Sequence, residues 1–128
     1  MKRAIASDRA PKAVGPYSQA VAFGDLLFCA GQIPLDPDTG EITGADVAAQ
    51  TERVIENIKA VLAVNAMTLT DVVKTTVFLT TMDDFATMNA IYARHFSEPF
   101  PARSTVAVAG LPRGAKVEIE VTAMLPDA

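Results

Sequence analysis

Residues 102–124, ARSTVAVAGLPRGAKVEIEVTAM, contain the pattern that decides the fold. Two runs rich in β-branched residues, 102–108 and 116–124, predict a pair of closing strands, and the segment AGLPRGA between them is typical of a loop. In the second run apolar residues alternate with polar or larger ones, the apolar set being Val117, Ile119, Val121 and Ala123. Because side chains alternate across a strand, we expect that set to be buried and Glu118 and Glu120 to share the other side.

Upstream of these strands, the hydrophobic period changes twice. Residues 18–30 predict two strands joined at Gly24-Asp25, a two-residue hairpin signal. Apolar residues recur at helical spacing over 46–63 and 84–96, and the segment 71–79 between them predicts another strand. Asn65 is expected to end the first helix in the left-handed conformation. The order ββ-α-β-α-ββ predicts an α+β fold with two helices on one face of a mixed sheet.

Composition limits the class of protein. A chain of 128 residues predicts a single domain over residues 1–128. Half of the residues are hydrophobic, a high share for this size, which favours burial of one sheet face against another subunit. The net charge of -4 and the scattered basic residues argue against nucleic-acid or membrane partners. With one cysteine and no secretory or membrane-spanning segment, a cytoplasmic location is expected.

The residue types that build metal and nucleophile sites are scarce. One histidine, His95, and one cysteine, Cys29, cannot form the usual zinc site, and phosphate-binding glycine motifs are absent. We therefore expect neither a metal nor a cofactor. A catalytic triad would have to recruit His95 without supporting spacing. Cys29 lies in an apolar strand and is interpreted as a small buried hydrophobe in preference to a reactive thiol.

Arg103 with Glu118 and Glu120 remains as a candidate site. A guanidinium offers a planar fork that grips a carboxylate with two hydrogen bonds, and a glutamate can take a proton from water. The alternative interpretation is a pair of cross-strand salt bridges on a solvated face. Tyr17 and Gly31 have similarly plain interpretations, as a packing side chain and a turn glycine.

Five segments of the chain resemble the RidA (YjgF/YER057c) family. They are GPYSQA (15–20), CAGQIPLDPDTGEI (29–42), DVVKTTVFL (71–79), FATMNAIY (85–92) and PFPARSTVAVAGLPRGAKVEIE (99–120), and the resemblance spans residues 3–124. It implies a chorismate-mutase-like α+β fold that assembles as a homotrimer. In such a trimer the sheets form a central barrel and ligand sites lie in the clefts between subunits.

The resemblance also implies a reaction, the cofactor-free hydrolysis of 2-imino or enamine acids such as 2-iminobutanoate and 2-iminopropanoate to 2-oxo acids and ammonia. In this reading Arg103 holds the substrate carboxylate and Glu118 positions and activates water. Four further residues match pocket positions: Tyr17, Gly31 through its backbone, Thr105 through its backbone, and Asn89.

Other functions stay open at this point. Some members of the family are described as endoribonucleases or translation inhibitors, although RNA affinity depends on basic residues that this acidic chain does not cluster. A non-catalytic ligand-binding or chaperone-like protein is a third possibility. Ala30 stands where deaminase members often carry serine, which leaves the substrate range undecided.

Overall fold

The computed structural model describes residues 1–126, so the last two residues of the expected domain lie outside it. Six strands and two helices follow one another as β1 (Arg3–Ile5), β2 (Ala20–Phe23), β3 (Leu26–Gln32), α1 (Val47–Val64), β4 (Val72–Leu79), α2 (Phe85–His95), β5 (Ala102–Ala107) and β6 (Val117–Met124). Single 3₁₀ turns precede β4, α2 and β6. All the strands and helices expected from the sequence are present, and β1 is an addition.

The strands form one six-stranded sheet in the order β1-β2-β3-β6-β4-β5. Strands β4 and β5 run parallel, and every other neighbouring pair is antiparallel. The predicted mixed sheet is therefore confirmed. Strand β4 separates β5 from β6, although β5 and β6 are consecutive in the chain, and this order decides which residues can meet.

Both helices cover the same face of the sheet, as predicted. The apolar residues of β6 are at most 3% exposed and pack against the apolar stripe of α1, in which Val54, Ile55 and Ile58 are fully buried. Within the described residues, no helix has the length and apolar character needed to cross a bilayer.

The opposite side of the sheet, here called the open face, is not covered by either helix. Phe28, Val106 and Met124 lie on it with 48%, 43% and 45% of their surface exposed, and Glu118 and Glu120 stand among them. Apolar surface of this extent on a sheet usually marks an interface. The expectation that this face packs against another subunit remains a prediction.

Helix α1 ends where the sequence predicts, but the left-handed conformation falls one residue later than expected. Asn65 is the C-cap with φ −102°, and Ala66 takes the left-handed conformation with φ 57°. The amide of Met67 donates to the carbonyl of Leu62, and the amide of Ala66 donates to that of Ala63. This hydrogen-bond pattern is a Schellman motif, which places the left-handed residue after the cap, so the left-handed assignment to Asn65 is wrong.

Candidate functional site

Arg103 faces the helices. It lies beside Thr75 across the parallel β4–β5 pair, and Thr75 is fully buried beneath the helix layer. The guanidinium carbon of Arg103 is 4.7 Å from the ring centroid of Tyr92 and 5.7 Å from that of Phe85, both on α2. The guanidinium therefore rests on the aromatic surface of this helix.

A cavity of about 380 Å³ opens at this guanidinium. The residues that line it include Arg103, Tyr92, Asn89 and Phe100. We call these four residues the arginine half-site. Asn89 and Arg103 thus line the same cavity, and the predicted contact of Asn89 with a ligand remains a prediction. None of the four ion pairs within residues 1–126 involves Arg103, so its positive charge has no acidic side chain beside it.

Thr105 follows Arg103 on the same side of β5. Its hydroxyl oxygen is buried and finds no hydrogen-bond partner among the described residues. Buried polar groups without a hydrogen-bond partner are uncommon in folded proteins. The sequence directed attention to the backbone of Thr105 and gave no sign that its side chain would be buried in this way.

Glu118 faces the other way. It pairs with Phe78 on β4 and projects from the open face, half-buried. Gly31 lies directly against its carboxylate: a Cβ added to Gly31 would stand 2.8 Å from the carboxyl carbon of Glu118 and closer still to its Oε2. Gly31 therefore makes room for this carboxylate, a role that the interpretation as a turn glycine missed.

Burial raises the pKa of Glu118, and the negative charge of Glu120 raises it further. Within one chain Arg103 does not oppose these effects, because it lies on the opposite face of the sheet. A raised pKa makes the ionised carboxylate a stronger proton acceptor. In the isolated chain, burial and Glu120 therefore favour the protonated carboxyl of Glu118 more than in a free glutamate.

Tyr17 and Gly31 line a second cavity of about 320 Å³. Together with Glu118 they form the acid half-site. The loop that carries Tyr17 is held by Gln19, a buried side chain that accepts from the amide of Ser7 and donates to the carbonyls of Ser7 and Pro11. Sequence reasoning missed Gln19, because a glutamine in a polar segment gives no sign of burial.

Arg103 and Glu118 are thus on opposite faces, with β4 between their strands. The interpretation of these residues as a cross-strand salt bridge is wrong for a single chain, because β5 and β6 are not neighbours. A glutamate on the open face cannot reach the cavity under α2 in the same chain. The two half-sites can meet only if a second copy of the chain brings them together.

The remaining candidates have structural roles. The Nε2 of His95 lies 2.8 Å from an oxygen of Glu52 and ties α2 to α1. Cys29 is buried, and burial raises its pKa to about 12, so it is a thiol at neutral pH. Among the described residues, no group of three or more His, Cys, Asp or Glu side chains is arranged to hold a metal ion.

The fold and the two half-sites define a class: a small α+β protein with a cationic pocket on the helix side of its sheet and a half-buried glutamate on the open side. The family model described as Endoribonuclease L-PSP matches residues 7–125, and the chain belongs to this family, which is the RidA (YjgF/YER057c) family. The membership in the RidA family that the five sequence segments predict is therefore confirmed.

Relatives and solved structures agree with this assignment. An Escherichia coli K12 protein named 2-iminobutanoate/2-iminopropanoate deaminase is 47% identical over 127 residues, covering 97% of this chain and 98% of that protein. A Yersinia pestis structure from the conserved Rid protein family has a TM-score of 0.95 and 48% identity, covering 98% of this chain and 100% of that one. Escherichia coli TdcF with bound serine has a TM-score of 0.91 and 44% identity, with 97% and 99% covered.

Proposed function

We propose that the protein is an enzyme that hydrolyses 2-imino or enamine acids, such as 2-iminobutanoate and 2-iminopropanoate, to 2-oxo acids and ammonia without a cofactor. The observation that carries this proposal is the guanidinium of Arg103, which faces a cavity of about 380 Å³ and pairs with no acidic side chain of residues 1–126. Such a group binds a substrate carboxylate through two parallel hydrogen bonds. The deaminase name of a relative at 47% identity and the serine bound to TdcF, itself a carboxylate, support it.

The chemistry needs little beyond positioning, because the imine carbon is already electrophilic. Arg103 fixes the carboxylate, and Asn89 and Phe100 in the same cavity restrict the rest of the substrate. The imine reacts in its protonated, iminium form: water attacks C2 while Glu118 accepts one proton of that water, which gives a tetrahedral amino alcohol. Glu118 then returns this proton to the nitrogen, the C–N bond breaks, the hydroxyl proton passes to the departing ammonia, and ammonium and the 2-oxo acid are formed. The backbone of Thr105 is assigned to orienting the water.

The same proposal requires subunits to share the site. We place Arg103, Asn89 and Thr105 of one chain opposite Glu118, Gly31 and Tyr17 of the next, in the clefts of a homotrimer whose open faces form a central barrel. The exposed apolar residues of the open face support this assembly, since they need cover. The placement of Arg103 and Glu118 on opposite faces supports it too, because each chain then contributes a different half-site to each of two clefts.

The first experiment measures ammonia release from 2-iminobutanoate generated by a threonine dehydratase. Wild-type protein should accelerate release, and Arg103→Ala should abolish the acceleration. Arg94→Ala is a matched control, because Arg94 is an arginine of α2 with a largely exposed side chain, 3.8 Å from Glu52. It should keep full activity. Wild-type rates no faster than buffer would refute the deaminase proposal.

Sharing between subunits has its own test. Arg103→Ala and Glu118→Ala chains should each be inactive, and co-refolding them in equal amounts should restore about a quarter of the clefts if chains assemble at random. A mixture that stays inactive, although mass spectrometry shows mixed trimers, would contradict the shared cleft and leave the reaction itself standing.

Two other functions are separated by the same variants. RNA cleavage that persists in Arg103→Ala would favour a nuclease, whereas carboxylate binding without turnover would favour a ligand-binding protein. The net charge of -4 speaks against the nuclease. A cytoplasmic location is part of the proposal and is consistent with one free thiol, Cys29.

A further inference from the structure

The ring of Tyr92 is held by a buried hydrogen bond and by ring stacking in addition to apolar packing. Its hydroxyl lies 2.9 Å from the hydroxyl of Thr75, and the two residues are 4% and 0% exposed. Its ring stacks on Phe96 with centroids 4.2 Å apart and an interplanar angle of 21°. A buried hydrogen bond is directional, so the position of this ring relative to β4 is fixed at both its edge and its face.

Arg103 rests on this ring, with its guanidinium carbon 4.7 Å from the centroid. Burial raises the pKa of Tyr92, so the phenol stays neutral and attracts the cation through its π face. An acidic partner would compete with a substrate carboxylate for the same N–H donors. The ring attracts the cation through its face, and no acidic side chain of residues 1–126 pairs with the guanidinium, so its N–H donors stay open to a ligand.

We infer that Tyr92, fixed by Thr75, is a positioning residue that sets where Arg103 presents its guanidinium to a carboxylate ligand. This inference rests on the proposed function only in taking the ligand of Arg103 to be a carboxylate. Thr75 on β4 is the register partner of Arg103 on β5. The same strand pair therefore positions the arginine and the threonine whose hydroxyl bonds to Tyr92. Tyr92 acts through Arg103 and needs no contact with the reacting atoms.

The test measures binding and geometry separately from turnover. Calorimetric titration with 2-oxobutanoate gives the affinity for a carboxylate, and the ¹⁵N-edited NMR signal of the Arg103 Nε–H, identified by its loss in Arg103→Lys, reports the ring above it. Tyr92→Leu should weaken binding about tenfold, equivalent to about 1.4 kcal/mol, and should shift the Arg103 signal as the ring current disappears. Tyr92→Phe and Thr75→Val remove the same hydrogen bond and should weaken binding equally, by about threefold.

Ile91→Ala is the matched control, because Ile91 is buried on the same helix but is aliphatic, whereas the rings near the guanidinium of Arg103 belong to Phe85 and Tyr92. It should lower the melting temperature and leave both readouts unchanged. If the Tyr92 and Thr75 variants lose stability but keep the affinity within about twofold and the Arg103 signal in place, Tyr92 is merely structural and the inference is overturned. Wild-type protein that binds no 2-oxobutanoate also overturns it. Binding without ammonia release refutes the deaminase proposal alone.

Discussion

Substituting Gly31 by alanine should separate activity from stability. The new Cβ would stand 2.8 Å from the carboxyl carbon of Glu118, whereas ordinary contact begins at 3.4 Å. The carboxyl carbon must therefore retreat by about 0.6 Å and the nearer oxygen by more than 1 Å. Because a misplacement of about 1 Å can lower a rate about a hundredfold, we expect kcat to fall by about that factor.

Stability should change little, since the group that has to move is the end of a flexible side chain. A displaced rotamer costs about 0.5–1.5 kcal/mol. Replacing glycine by alanine, at a backbone conformation without positive φ, returns about 0.4–1 kcal/mol by restricting the unfolded chain. The net change should stay within about 1 kcal/mol, or roughly 4 °C in Tm for a chain of this length.

The assay pairs ammonia release with thermal melting followed by circular dichroism. Gly110→Ala is the control, because a Cβ at Gly110 meets nothing within 4 Å; it should keep wild-type activity and raise the Tm by no more than about 4 °C, through the same restriction of the unfolded chain. In a Glu118→Ala background, which is already inactive, Gly31→Ala should not lower the Tm, since the carboxylate it displaces is gone. Gly31→Ala protein with activity within threefold of wild type would refute the argument, as would a Tm more than about 8 °C lower, which would mean that the strand yields and not the carboxylate.

Further predictions concern single groups. Burial raises the pKa of Glu118 above its ordinary value of 4.5, so the ionised carboxylate lowers the stability of the folded protein. In the Arg103→Ala background, Glu118→Gln should therefore raise the Tm at pH 7.5 and leave it unchanged at pH 4. A lower Tm at pH 7.5 would show that another cation lowers the pKa of Glu118. Cys29 should resist thiol reagents at pH 8 in the folded protein and react fully in denaturant, since burial raises its pKa to about 12; rapid labelling of folded protein would contradict its burial. Glu52→Gln weakens the contact with His95 between the helices and should lower stability by about 1 kcal/mol in urea unfolding, without changing kcat.

Most of the fold was predictable from hydrophobic period. Long segments such as 46–63 repeat their pattern several times, and the structure places both helices and the five longer strands within a few residues of the expected ranges. Strand β1 was missed because three residues are too short to show alternation. The C-cap of α1 at Asn65 was predicted, but its left-handed conformation was not confirmed, because a Schellman motif places that conformation at Ala66.

The site was less predictable from the sequence. The alternation of side chains sorts the residues of one strand into two sets, but it does not show which sets of different strands lie on the same face of the sheet. Because their strands are consecutive in the chain, the sequence predicts that Arg103 and Glu118 face one another. The insertion of β4 between them and the parallel register with Thr75 place them on opposite faces, and only the sheet order reveals this. Tyr92 was visible as part of a helical stripe, but its contact with Arg103 depends on tertiary packing.

The chain has no tryptophan and two tyrosines, and each half-site contains one of them. Tyr17 is 54% exposed beside Gly31, and Tyr92 is 4% exposed beneath Arg103. The protein therefore carries a separate optical reporter for each half of the proposed cleft. In a Tyr17→Phe protein, near-ultraviolet emission comes from the arginine half-site alone, and in a Tyr92→Phe protein it comes from the acid half-site alone, so ligand arrival at each half can be timed without any added dye.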